Sequence, residues 1–145
     1  MYSLLKHLHS GVRWLVLIGL VWAILDAYSN WKKGTAFDKT TRRPSFLTFT
    51  FTHLQLTLGI IIYFITPRIV FGPSLMKDDI MRFFAMEHPV MMLIAIALIT
   101  IGYIKGKKGQ PGASFKSIFW YYLIALLVIM ASIPWPGMKY MAGWM

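Results

Sequence analysis

An all-α integral membrane protein, folded as a four-helix bundle, is what this sequence predicts. Three observations carry the prediction: four long apolar runs, little charge within them, and charges bunched between them. Of the 145 residues 57% are hydrophobic and only 14% are charged, where a soluble domain carries about 25% charged residues. Mean hydropathy is +0.59. The runs cover roughly residues 4–28, 46–66, 83–104 and 115–133. Each approaches the ~20 residues that cross a ~30 Å hydrocarbon core as a helix. Lipid offers the backbone no hydrogen bonds, so a spanning segment must satisfy its own, and a helix does. No repeat, low-complexity tract or long linker divides the chain, and 1–145 reads as a single four-helix domain.

The first run opens "LLKHLHSGVRWLVL" and places His7, His9 and Arg13 at its entrance. It is too long, and too polar at that end, to read as a secretory signal. The second run carries His53, with Thr50 and Thr57 on the same helical face and Gln55 elsewhere, and is expected to stop at Thr66-Pro67, where the N–H needed to continue the ladder is missing. The third contains His88-Pro89. Either a membrane helix begins there with proline in its first turn, making "IMRFFAM" a separate interfacial segment, or a longer helix kinks there. Glu87, next to His88, is placed to orient an imidazole or to lie in the interface. The fourth run holds no histidine and is expected to end at Ile133-Pro134. Aromatics near the run ends, such as Tyr28, Trp31, Trp120, Tyr121, Trp135, Tyr140 and Trp144, fit the headgroup level. Methionines Met138, Met141 and Met145 lie in the tail, without a convincing copper-ligand spacing.

A net charge of +10 would suggest nucleic acid in a soluble protein. Here the cations flank membrane runs, so no nucleic-acid partner is expected and topology accounts for them. Residues 30–44 hold Lys32, Lys33, Lys39, Arg42 and Arg43 against Asp38 alone, and the loop after the third run holds Lys105, Lys107, Lys108 and Lys116 with no acid. Both loops belong on one side, which the positive-inside rule makes cytoplasmic. The expected location is a bacterial inner membrane, multi-pass, with both termini periplasmic.

No cysteine occurs, which excludes disulfides, thiolate metal sites and covalent c-type haem. Phosphate-binding loops, HExxH, a nucleophile elbow and paired carboxylates are absent from the sequence as well, and no catalytic residue is identified. The four histidines are what remains. Ionisable residues inside membrane spans are rare and mark functional sites, and His9, His53 and His88 fall on three separate runs. At 1.5 Å per residue, His9 and His88 both lie about 5–10 Å below the outer boundary, and His53 lies nearer the middle. Two imidazoles at matched depth on two helices make an axial pair for haem iron. Arg13, four residues from His9, suits a propionate, with Lys6 and Arg82 as further candidates. The site residues are therefore His9, His88, His53, Arg13 and His7. His9 and His88, with His53 as a third option, ligate the iron of haem b. His53 is left three roles: a second haem, an alternative partner for His88, or a quinone pocket.

Four segments, "LLKHLHSGVRWLVLI", "FTHLQLTLGIIIYFITP", "FFAMEHPVMMLIAIALITIGYIKGKK" and "LIALLVIMASIPWP", together resemble a family of short bacterial membrane proteins labelled cytochrome b. The resemblance covers nearly the whole chain. It implies a non-covalent b-type haem, membrane electron transfer, and His7 or His9, His53 and His88 as the histidines that matter. A looser resemblance runs to the HemJ-type protoporphyrinogen oxidase, which shares the first-helix histidine, His9 here. The arginine-rich segment that follows that helix in the oxidase is replaced by "ILDAYSNWKKG". The expected function is an electron carrier rather than an enzyme, working in the lipid bilayer with a quinone or a respiratory partner protein. A porphyrin-using oxidase and a non-haem accessory subunit are the alternatives, and homo-oligomerisation is left open.

Overall fold

The computed structural model describes residues 1–67 and 69–135. The tail methionines, Tyr140, Trp144 and Arg68 lie outside the described residues. Among the described residues four helices are long and apolar enough to cross a membrane. They are α1, Tyr2–Lys33; α2, Arg43–Ile65; a composite third span; and α5, Ala113–Ser132. The third span starts as α3, Asp79–Arg82, passes through a π-helical turn, Phe83–Glu87, and continues as α4, His88–Lys108. No strand occurs among the described residues.

The ends follow from local chemistry. Helix α1 runs five residues past the expected end at Tyr28, because Tyr28 and Trp31 still have a surface to cover: their rings lie 5.6 and 5.8 Å from that of Phe119. It stops at Gly34, whose φ of 65° is the left-handed conformation that favours glycine. Its N–H returns to the Trp31 carbonyl at 3.2 Å. Helix α2 begins earlier than expected because Pro44 is tolerated in a first turn. It ends before Pro67 as expected, and α5 ends before Pro134. Asp78 caps α3, accepting from the Ile80 and Met81 N–H groups at 2.9 Å each.

Helix α1 packs against α2 and α5, and α4 packs against α5; the contact between α2 and α4 is sparser than these. The bundle is closed most tightly at the end that bears the basic loops. There Leu20, Ile99, Ile118, Tyr122 and Phe115 are fully buried. Small residues bring the helices together, as membrane bundles require. A Cβ on Gly102 would sit 2.5 Å from Tyr121 Cβ, and one on Gly19 would sit 2.9 Å from Thr48 Oγ1. Buried hydroxyls here have partners: Thr48 and Thr52 donate to carbonyls one turn back, and Tyr122 OH donates to the Ser45 carbonyl at 2.8 Å.

The two basic loops share this end. Gly112 N–H donates to the Thr35 carbonyl at 3.0 Å, and Phe37 packs its ring 5.2 Å from that of Phe115. Lys32 and Lys116 both lie over the Trp31 ring, at 4.7 and 5.6 Å. Hydrogen bonds from the Thr41 and Thr40 N–H groups hold the Asp38 carboxyl below the usual carboxylate range. The flanks of the bundle are apolar and exposed, with Ile18, Leu25 and Leu127 each more than 60% accessible. Such surface suits lipid and not water.

Candidate functional site

Away from the basic loops the helices part around a cavity of about 680 Å³, within the ~300–1,000 Å³ usual for cofactor sites. All four spans contribute to its wall. Leu56, Met92, Ile96 and Ile129 make it apolar, and Lys6, His9, Arg13, Gln55 and His88 supply the polar groups.

His88 is delivered by an irregularity that the sequence half announced. Pro89 stands in the first turn of α4 and has no N–H to give the Ala85 carbonyl four residues before it. The chain answers with the π turn, in which the His88 N–H reaches back five residues to the Phe83 carbonyl. Tyr63 of α2 donates its hydroxyl to the stranded Ala85 carbonyl at 3.1 Å. Thus "IMRFFAM" is neither separate nor simply kinked: it is helical and joined to α4 through a π turn, a feature frequent at functional sites.

The His88 ring is then fixed by α5. Its Nδ1 lies 2.9 Å from the Ser132 carbonyl, one of the last-turn carbonyls of α5 that have no partner within the helix. A carbonyl only accepts, so Nδ1 carries the proton and Nε2 keeps a bare lone pair. That is the form of histidine that ligates iron. Glu87 plays no part in this: it accepts from Arg82 Nε at 2.9 Å, and Arg82 also pairs with Asp79 at 3.0 Å. Arg82 is not in the cavity wall, whereas Lys6 and Arg13 are.

His9 faces α2. The nearest atom to a Cβ built on Gly59 is His9 Cε1, at 3.3 Å, followed by Nδ1 at 3.8 Å. The Gln55 side-chain amide donates to the His9 carbonyl at 2.9 Å. Two atoms of this pair, His9 Nδ1 and Gln55 Oε1, are buried with no hydrogen-bond partner. His88 and Arg13 are both close enough to His9 to act on it electrostatically, and Arg13 acts likewise on His88.

The structure therefore brings His9, Arg13 and His88 to one cavity and leaves two candidates out of its wall. His7 is exposed near the start of α1. His53 is half-buried between α2 and α4, its Nδ1 2.8 Å from the Phe49 carbonyl and its Nε2 3.4 Å from Thr100 Oγ1. Its ring lies 4.1 Å from that of Phe49. Thr50 and Thr57, expected to share its face, bond to carbonyls of their own helix instead. Among the described residues no three His, Cys, Asp or Glu side chains converge on a bare metal ion.

Gln55, Gly59 and Tyr63 were not singled out as site residues from sequence. Their one visible signal is spacing: Gln55, Gly59 and Tyr63 recur every four residues and so form one stripe of α2. Compared with family models, curated proteins and solved structures, the chain matches none.

Proposed function

We propose that this chain is a b-type cytochrome of the membrane, with His9 and His88 as the two residues that would hold one haem and electron transfer as its task. The supporting observation is the single cavity that holds His9, His88 and Arg13 while the Ser132 carbonyl holds His88 with a bare Nε2. The donor set suits a haem. Two imidazoles would hold a haem iron without a third protein ligand. Haem supplies reversible one-electron exchange. The chain does the rest: His88 and His9 offer nitrogen, Arg13 and Lys6 offer cations to propionates, and the aliphatic wall keeps water away from the ring. His53, outside the wall, becomes a residue near the haem site rather than an axial ligand.

The cavity also reaches the flank of the bundle. Phe64, Val90 and Leu93 belong to its wall and are more than half exposed, on the side where α2 and α4 meet sparsely. An opening toward lipid supports a lipid-soluble electron partner such as a quinone.

The deciding experiment is a pyridine haemochrome assay on the purified protein, expected to give one b-type haem per chain. A colourless protein after expression with added haem precursor would refute the reading. The orientation belongs to the same proposal. A C-terminal alkaline phosphatase fusion is expected to be active, since the enzyme folds only outside the cytoplasm; an inactive phosphatase with a fluorescent GFP fusion would invert it.

A further inference from the structure

Among the described residues, the two buried side-chain atoms without a partner lie on residues already joined. Gln55 Nε2 is committed to the His9 carbonyl, so the orientation of the amide is set and Oε1 is its unused end. His9 Nδ1 is likewise buried and unused. One is an acceptor, and the other can be a donor. Buried polar groups are rarely left unpaired, and such exceptions call for an account. Gly59, one turn along α2, presents no side chain, and the Nδ1–Cε1 edge of the imidazole occupies that space. The backbone of Gln55 also acts on the His9 ring as an acceptor, although no hydrogen bond is closed.

From this we infer that Gln55 is the positioning residue of His9. Its Nε2 holds the His9 carbonyl, and its Oε1, unpartnered in the structure, is the acceptor that the Nδ1 proton would reach once the ring turns toward it. The same residue thus fixes the backbone and the tautomer of the helix-α1 ligand. His9 would then match His88, with Nδ1 protonated against the protein and Nε2 bare, although His88 uses a backbone carbonyl and His9 a side chain. Partners of this kind orient a ligating imidazole and raise its basicity. Gly59 contributes the room, because a methyl there would press on the ring edge that has to approach Gln55. This inference rests on the haem reading for its purpose but not for its test.

The test uses the full-length, haem-free chain in detergent micelles with 15N-labelled histidine, the His9 signals being identified by their loss in His9→Ala. The expected result is a fixed Nδ1–H tautomer at His9; an Nε2–H tautomer overturns the inference. Gln55→Leu is expected to release the tautomer and to weaken haem binding by about 10–100-fold, the usual loss when such a partner is removed. The His88 signals should stay unchanged. Gln55→Glu should restore both properties, because a protonated carboxyl offers an O–H to the His9 carbonyl and an oxygen to Nδ1. A Gln55→Leu protein with the wild-type tautomer and affinity would assign the role to the backbone carbonyl and refute the inference. If Gln55→Leu does not fold, the wild-type tautomer and the Gln55→Glu protein still decide. A wild-type chain that binds no haem would defeat the proposed function and leave the tautomer result standing.

Discussion

The two ends of this bundle solve the same packing problem in opposite ways. At the basic-loop end, Gly102 and Gly19 let helices approach until a single added Cβ would collide, and every buried polar group named there has a partner, as Tyr122 has in the Ser45 carbonyl. At the other end the helices part, a 680 Å³ cavity opens, and two polar atoms stay unpaired. One end specifies the fold, and the other keeps capacity in reserve. The difference teaches where to look for chemistry in a small membrane protein. The informative end is the one whose packing and hydrogen bonding are incomplete, since a cofactor needs both space and unsatisfied ligands.

The sharpest way to break this contrast is to remove or fill the open end. His9→Ala and His88→Ala should each lose most of the haem, read as haem per purified chain, while His7→Ala and His53→Gln should retain it. Ile96→Trp, which adds bulk to the cavity wall, should do the same as the ligand variants with helix content intact by circular dichroism. Full haem in Ile96→Trp would mean that this cavity is not the site. Loss of half the haem in His53→Gln would reveal a second haem instead.

A matched pair of glycine substitutions comes next in size. Gly102→Val overpacks the closed end, and overpacking of this kind costs about 1–3 kcal/mol, measurable as earlier unfolding in mixed SDS micelles. Gly59→Ala faces only the edge of His9 at 3.3 Å; its stability should change by no more than about 0.5 kcal/mol, yet the absorption and EPR spectra of bound haem should shift. Equal destabilisation by the two would contradict the contrast.

Removing one hydroxyl from each end is a smaller test. Tyr122→Phe removes the buried hydrogen bond to the Ser45 carbonyl, which leaves that carbonyl its helical partner, and should cost about 0.5–1.5 kcal/mol. Tyr63→Phe strands the Ala85 carbonyl at the half-open π turn, where a typical hydrogen bond contributes about 0.5–1.5 kcal/mol. The expected signature of the second is faster amide exchange confined to residues 83–88. The smallest effect concerns Asp38. Its carboxyl titrates lower in the folded loop than in an unfolded chain, so its contribution is present above the ordinary aspartate value of about 3.9. That contribution is lost as the pH falls through the lowered value. Amide exchange at Thr40 and Thr41 should therefore quicken only in strong acid, and Asp38→Ala should abolish that acid step.

Much of the framework was legible in the residues. The apolar runs at 4–28, 46–66, 83–104 and 115–133 each became a spanning-length helix, because in a run that long every local choice points the same way. Pro67 and Pro134 ended α2 and α5, since a missing N–H acts locally. The extension of α1 to Lys33 was not legible: residues 29–33 are too polar for a membrane run, and Trp31 among them packs on the Phe119 ring, eighty-eight residues away in the chain. Nor was the linkage of the basic loops through Gly112 and Thr35 more than an inference from charge.

The site divides along the same line. Sequence by itself determined an all-helical chain with four spanning-length helices and histidines on three of them, because composition and period are properties of short segments. It could not decide which histidines meet, because depth along a helix says nothing of the direction in which a side chain points around it. His9 and His88 face one cavity and His53 turns to Phe49 and Thr100, a choice made by how the helices are rotated against one another. The tautomer of His88 likewise depended on the Ser132 carbonyl, forty-four residues distant, and the π turn on a hydroxyl from α2. Gln55 became visible last, because an unpaired atom can be recognised as unpaired only after every neighbour is in place.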